Sequence, residues 1–336
     1  MFEPRKVFVL LATYNGAEFL SDQIQSIQGQ TISNWTLLVR DDGSVDNTRD
    51  VLEKLAAKDN RIRWIHDTRG GLGAAGNFGE LMRVALVEDA EAIFFSDQDD
   101  VWLSTKMREQ IDVLDKMEEL HGRDTPMLVY SDLEVVDRWL QPIHHSFMRY
   151  QDLTHEAQSP VQVLLTQNFV TGCATVINRS LLKLAVPLPA DVVMHDWWLA
   201  LCAAVCGQIG YLPNSTLRYR QHESNQIGAQ RFLAMMNPSS PRTRRWWKEG
   251  GRRLFKSIEQ ARLLSERIVS REIPCSREAL SLLKRFAACA QEGRLRRLWT
   301  VSQLGLRRQG VLRQLLLYWR LLVSSRKAAT DQGWKH

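Results

Sequence analysis

Over the first hundred positions, short unbroken apolar runs alternate with stretches whose apolar residues recur every three to four positions. Residues 7–11 (VFVLL) form the first run, and such a run predicts a strand buried on both faces, as in parallel sheets. Residues 35–39, 62–65 and 92–95 repeat that character. Between them, Phe19, Leu20, Ile24 and Ile27 keep helical spacing within 18–28. So do Val51, Leu52 and Leu55, ahead of which Ser44 or Asp46 can cap. A third helix is predicted over 78–87. The alternation β-α-β-α-β-α-β predicts an α/β fold with a doubly wound, mostly parallel sheet flanked by helices. Further on, 127–132 reads as a strand ending in Asp132, and 167–177 as a strand pair in which Gly172 permits close backbone approach. Residues 194–206 predict an apolar helix, 210–212 a strand, and 242–327 a run of cationic helices.

In sheets of this kind ligands sit beyond the carboxyl ends of the strands. Three of those ends carry Thr13 and Asn15, Asp41 and Asp42, and Asp97, Asp99 and Asp100. Three carboxylates within four residues repel one another unless a cation shares them, and hard oxygen ligands suit Mg²⁺ or Mn²⁺. An isolated cluster of this type is as well explained by a solvated loop; its neighbours at the other strand ends favour a site. The segment Gly71-Leu72-Gly73-Ala74-Ala75-Gly76 also fits GxGxxG, with Asp97 at the next strand end, which read alone implies an NAD-dependent oxidoreductase. Three residues part this loop from its strand, loosening the tight turn, and the acid would sit among like charges that disfavour a pyrophosphate.

Composition is that of a globular chain: 336 residues, 44% hydrophobic, 24% charged. Five cysteines without a CxxC pair read as reduced thiols rather than a disulfide framework. The opening apolar run stops too early for a signal peptide, and no stretch reaches the ~18 apolar residues a spanning helix needs. The net charge of +6 hides an asymmetry. Residues 1–241 hold 21 Lys and Arg against 31 Asp and Glu, whereas 242–327 hold 22 against 6.

ATYNG (12–16), DDGSVDNT (41–48), the glycine loop ending at Gly76-Asn77 and FSDQDDVW (95–102) together resemble the inverting family 2 glycosyltransferases of the GT-A fold, in order from about residue 5 to 230. SDQDDVW with the later His195-Asp196-Trp197-Trp198 is similar to bacterial rhamnosyltransferases of O-antigen and cell-wall polysaccharide synthesis. The resemblance implies a catalytic domain over 1–235 and a donor such as dTDP-L-rhamnose. It also implies a lipid-linked oligosaccharide acceptor and a place at the cytoplasmic face of the inner membrane. It puts the metal on Asp99, with Asp97 on ribose or metal, Asp100 as support and His222 completing the metal or diphosphate site. Nucleotide-sugar contacts fall on Thr13, Tyr14, Asn15, Asp42 (toward the pyrimidine imide), Asn77 and Arg220, with Arg218 beside the last. The general base falls on Asp196, where an ordinary reading would have a helix cap; relatives often carry Glu where this chain has His195. An inverting displacement needs one base for the acceptor hydroxyl and a neutralised leaving diphosphate. Trp197 and Trp198 could stack on acceptor sugars, with at least one of them in the core. The remaining histidines read as structural or solvated.

The cationic region interleaves Arg244, Arg245, Trp246, Trp247 and Lys248, and later Arg296, Trp299, Arg313 and Trp319, with leucines. That mixture suits an anionic membrane surface; helices packed on the catalytic domain are the competing expectation. Nucleic acid is not expected, since no base-reading module accompanies the charge. A non-enzymatic protein that senses a nucleotide is the alternative to a transferase.

Overall fold

A computed structural model describes residues 5–67, 69–222 and 241–324, with the backbone alone over 241–248. The strands are β1 (Val7–Thr13), β2 (Trp35–Asp41), β3 (Ile62–Trp64), β4 (Ala92–Ser96), β5 (Val101–Trp102), β6 (Met127–Val136), β7 (Pro142–His144), β8 (Thr175–Asn178) and β9 (Gln208–Arg220). Helices α1 (Leu20–Gln28), α2 (Thr48–Ala56), α3 (Gly73–Val87) and α4 (Lys106–His121) join the first strands. Next come α5 (Phe147–Tyr150), α6 (Pro160–Leu164), α7 (Arg179–Ala185) and α8 (His195–Cys206). Four more close the described chain: α9 (Pro241–Ser270), α10 (Arg277–Ala288), α11 (Arg294–Gln303) and α12 (Val311–Val323).

One sheet runs in the order β3-β2-β1-β4-β8-β6-β9-β5, with β7 on β6. Its first half is parallel, β1 pairing with both β2 and β4, as the apolar runs predict. The second half is mixed: β8 is antiparallel to β4 and β6, and β5 to β9. The expected parallel pairing therefore holds across β3-β2-β1-β4 and again between β6 and β9, while β8, inserted between β4 and β6, and the short β5 at the edge run against their neighbours. Within 167–177 only the end is strand; Gly172–Ala174 is a single 3₁₀ turn. Asp132 sits inside β6 rather than at its end, and accepts from the Met148 amide at 3.1 Å, which ties α5 down.

Apolar side chains fill both sheet faces. Val9, Leu11, Leu37, Val39 and Phe94 lie on one, and Leu10, Leu38, Ile93 and Phe95 on the other, as period-two alternation requires. Leu254, Ile258, Ala261, Leu264 and Ile268 of α9 belong to the same core as Trp198, Leu201 and Leu182. The cationic region therefore packs into a core it shares with the sheet and α8. Polar contacts seal the joint: Gln260 accepts from the Val193 amide at 2.6 Å, and Arg267 donates to the Ala185 carbonyl at 2.6 Å. Arg244, Arg245, Trp246, Trp247 and Lys248 have no described side chains, and 223–240 and 325–336 lie outside the described residues.

Candidate active site

The ends of β1, β2 and β4 converge, and side chains fasten their loops to one another. Gln98 is the hub. Its Oε1 accepts from Thr13 Oγ1 at 2.6 Å and from the Tyr14 amide at 2.8 Å, while its Nε2 donates to the Tyr14 carbonyl at 3.1 Å. A Cβ on Gly16 would stand 2.3 Å from that Oε1, so only glycine leaves room for the bridge. Asn15 adopts a left-handed backbone (φ 49°), which asparagine tolerates. Its amide donates to Ser44 Oγ at 2.8 Å and its Oδ1 accepts from the Val45 amide at 2.9 Å. Tyr14 is left half exposed at the mouth.

The glycine loop is held by Asp42. Its carboxylate accepts from the Leu72 and Gly73 amides at 3.0 and 2.8 Å and pairs with the fully buried Arg40 at 3.0 Å. Arg40 also pairs with Asp67 and donates to Asn77 Oδ1 at 3.1 Å. Asn77 in turn donates to the Arg40 carbonyl, also at 3.1 Å. The amides of 72 and 73 thus meet a carboxylate where a dinucleotide fingerprint would offer them to a pyrophosphate, which removes the oxidoreductase reading. Asn77, expected at the nucleotide, is buried and spent on the frame; Asp42 already receives three hydrogen bonds there.

Beyond β4 the acidic cluster is drawn inward. Asp100 is fully buried; its Oδ1 accepts from the Arg220 amide at 3.2 Å, and its Oδ2 has no hydrogen-bond partner among the described residues. Ligand atoms of Asp97, Asp100 and Cys173 all lie within 4.8 Å of one another. Burial, and then the charges of Asp99 and Asp196, push the Asp97 carboxyl up to about 7. Burial also pushes the Asp100 carboxyl well above the usual carboxylate range, with Asp99 and Asp97 adding to it. Asp99 Oδ2 lies 2.8 Å from His222 Nε2, bringing together two groups 123 positions apart. An orphaned carboxylate oxygen, several mutually repelling acids and an imidazole make a donor set that fits a hard divalent cation.

Arg220 is placed otherwise than expected. Its Nε donates to the Asp99 carbonyl (2.9 Å), Nη1 to the Arg138 carbonyl (2.8 Å) and Nη2 to Asp22 (3.0 Å), and its guanidinium lies 4.4 Å from the Phe19 ring. It is a clamp rather than a phosphate ligand: it joins the acidic loop, α1 and the β6–β7 hairpin. Arg218 faces Glu134 at 3.5 Å. Trp139, at that hairpin's tip, is 72% exposed.

Asp196 opens α8 beside this cluster. Its Oδ2 accepts from the Gly172 amide at 3.2 Å, and burial raises its carboxyl to about 7 despite that bond. His195 is wedged against Phe78, ring centroids 3.9 Å apart, with neither ring nitrogen hydrogen-bonded; burial lowers it to about 3, so it is neutral. A Cβ on Gly172 would approach His195 Nε2 to 2.9 Å, so this glycine lets the start of α8 and the 3₁₀ turn close on each other. The acceptor role expected of Trp197 and Trp198 is overturned. Both are buried, and their indole N–H groups donate to the Leu164 and Ala185 carbonyls at 2.6 and 3.1 Å. Their spacing on a helix that is apolar all round is a core signature.

Gln98, Arg40, Cys173 and Lys106 escaped the sequence reading. Lys106 is fully buried beneath the cluster, donates to Gln110 at 2.6 Å, and is pulled down to about 7 by burial, with Cys173 and Asp100 opposing. Lys106 and Gln110 share a helix face with Leu114, and a charge on an apolar face was the available signal.

Comparison with known proteins agrees with this geometry. Residues 8–183 match the model of the family described as glycosyl transferase family 2. The chain is 29% identical over 229 residues to the dTDP-rhamnosyl transferase RfbG of Shigella flexneri, covering 65% of this chain and 74% of that protein. It is 30% identical over 178 residues to the UDP-Glc:alpha-D-GlcNAc-diphosphoundecaprenol beta-1,3-glucosyltransferase WfgD of Escherichia coli, covering 53% of this chain and 62% of that protein. Among solved structures it resembles S. aureus TarS 1–349 in complex with UDP-GlcNAc (TM-score 0.54, 16% identity, 96% of this chain and 90% of that one). It is similar too to the mannosyltransferase PcManGT of Pyrobaculum calidifontis in complex with GDP-Man and Mn²⁺ (TM-score 0.54, 14% identity, 97% and 78%). With more than half its length matched and the strand-end loops in family order, the chain belongs to glycosyl transferase family 2 and is a glycosyltransferase of the GT-A fold.

Proposed function

We propose that this glycosyltransferase is inverting and metal-dependent, and that it moves L-rhamnose from dTDP-L-rhamnose to a hydroxyl of a lipid-linked oligosaccharide in bacterial surface-polysaccharide synthesis. The observation that carries the reading is Asp196: one carboxylate held near neutrality by burial, close enough to the acidic cluster for its charge to act on Asp97. Asp99, His222 and Asp97 would hold Mg²⁺ or Mn²⁺. When bound, that ion neutralises the negative charge of the diphosphate leaving group.

In the reaction Asp196 takes the proton of the acceptor hydroxyl as that oxygen bonds to the anomeric carbon. The bond from that carbon to the diphosphate oxygen breaks on the opposite face, and its electron pair leaves with the nucleotide. The Gly172 amide keeps the carboxylate aimed, and neutral His195 adds no competing charge. Tyr14, on the loop pinned by Gln98, faces the nucleotide side; Trp139 offers an exposed ring for an acceptor sugar at the rim that Arg220 clamps. The rhamnose assignment is supported by the likeness to RfbG, and the lipid-borne acceptor by the likeness to WfgD. A lipid-borne acceptor would be met at a membrane surface, and we assign the reaction to the cytoplasmic face of the inner membrane.

The test is a panel of nucleotide diphosphates and sugar nucleotides in thermal shift, with and without Mn²⁺. A Mn²⁺-dependent rise with dTDP or dTDP-L-rhamnose supports the assignment. A rise with UDP-glucose alone replaces the donor, and a rise with NAD⁺ indifferent to metal defeats the reading.

A further inference from the structure

Seven of the sixteen exposed large apolar side chains among the described residues fall on two short helices, α11 and α12. On α12 they recur every fourth residue as Val311, Leu315, Trp319 and Val323, one stripe along the helix, and Trp299 projects from α11. On the other side Leu316, Leu317 and Leu321 are buried, the last two in the shared core. The stripe is thus the outer side of a firmly seated helix. No helix among the described residues is long and apolar enough to cross a membrane.

At the head of the stripe lies a groove of about 420 Å³ lined by Arg307, Arg308, Gly310, Val311, Gln314 and Leu315. Two guanidinium groups and two aliphatic side chains of the stripe therefore share one opening. Arg307 is paired with Glu156 at 2.8 Å. Arg308 donates its Nε to the Thr166 carbonyl at 3.0 Å, and no described carboxylate lies within ion-pair distance of it. Burial, and then the like charges of Arg320 and Arg313, pull Arg308 down to about 9. Uncompensated positive charge in a partly dry groove calls for an anion, and the apolar stripe leading from it calls for hydrocarbon. One partner class offers both.

We propose that α11 and α12 form an interfacial seat for an anionic bilayer, with the Arg307–Arg308 groove taking the phosphate of one lipid headgroup and the Val311–Leu315–Trp319 stripe lying among the acyl chains. This deepens, and rests on, the reading that the acceptor is borne by a lipid. Trp299 and Trp319 suit the headgroup boundary, where an indole has an apolar body and a polar N–H.

The test is co-sedimentation of the full chain with vesicles of pure phosphatidylcholine or with 30% phosphatidylglycerol. The Mn²⁺-dependent thermal shift with UDP or dTDP, measured in parallel, reports folding and the donor site. Binding should require phosphatidylglycerol. Leu315→Asp should lower partitioning by more than about tenfold. Arg308→Gln should lower it about fivefold, chiefly by removing the preference for anionic lipid. Both variants should keep the wild-type nucleotide shift. Wild-type protein that stays in the supernatant while still shifting with nucleotide overturns the seat and leaves the transferase reading intact. Vesicle binding without any nucleotide shift does the reverse. Equal binding by wild type and both variants, competition by inorganic phosphate at constant ionic strength, or a dimer in sedimentation velocity that Leu315→Asp dissolves would each give the face a different occupant and overturn the proposal.

Discussion

His222 Nε2 stands 2.8 Å from Asp99 Oδ2, and the two side chains are only 10% and 14% exposed. A carboxylate and an imidazole held this close, beside the orphaned oxygen of Asp100, form a site whose members lose their purpose separately. Asp99→Ala should abolish the Mn²⁺-dependent thermal shift with nucleotide diphosphate, and His222→Ala should weaken it at least about tenfold, in line with the loss of one metal ligand. Undiminished Mn²⁺ dependence in Asp99→Ala would move the metal elsewhere.

Asp196→Asn should leave the donor thermal shift unchanged while kcat falls about 10²–10⁴-fold, the usual contribution of a positioned base. Because burial lifts this carboxyl from 3.8 to about 7, the base is ionised only above that pH. The kcat/KM of the wild type should therefore fall as pH drops through about 7. An acid limb near 4 would mean that Asp196 is not the base.

Gly16→Ala should act through Gln98. The added methyl carbon would stand 2.3 Å from Gln98 Oε1, displacing the amide that holds Thr13 and Tyr14. The donor KM should rise with little change in kcat. Adding Gly16→Ala to Gln98→Ala should cost little more, and full additivity in that double-mutant cycle would show that the glycine acts by another route.

His195→Phe tests burial of a neutral imidazole. The ring titrates near 6.5 when unfolded and near 3 when folded, so its stability contribution is complete above 6.5 and lost as pH falls toward 3. At pH 5 the penalty is about 2 kcal/mol. The melting temperature of His195→Phe relative to wild type should therefore climb between pH 7 and pH 5; a constant difference would place the ring in contact with water.

Trp139→Ala should raise the acceptor KM severalfold without altering the nucleotide thermal shift, since the indole is exposed at a rim fixed by Arg220 rather than part of the core. An unchanged acceptor KM would return the indole to the status of a surface residue.

The N-terminal half of the sheet was legible because its strands are buried on both faces, and continuous apolar runs such as 7–11 have few other interpretations. The strand-end carboxylates were legible for a similar reason: chemistry at loop positions is not masked by packing. The mixed second half was harder to read. β8 and β9 owe their direction to pairing with β6, a long-range choice that no local pattern carries. Trp197 and Trp198 misled because tandem tryptophans beside a base suggest sugar stacking, while the surrounding Leu199, Ala200 and Leu201 already indicated a helix buried all round. Arg220, Asn77 and Asp42 sit at the expected places in the chain, yet Asn77 and Asp42 turn toward Arg40 and nearby backbone, and Arg220 toward two carbonyls and Asp22. Position along a sequence does not report direction.

Gln260 and Arg267 of α9 grip the segments on either side of the turn that leads into α8, and α8 begins with Asp196. The late helices are therefore part of what keeps the Asp196 carboxylate in register. A chain cut after residue 240 would lose the wall against which Trp198 and Leu201 are packed, and with it the geometry of Asp196, long before any loss of the strand-end loops. Grafting the tail of one such enzyme onto the sheet of another would need α7 and α8 to travel with it, so new acceptor preferences are expected to be inherited as a block of structure spanning both halves.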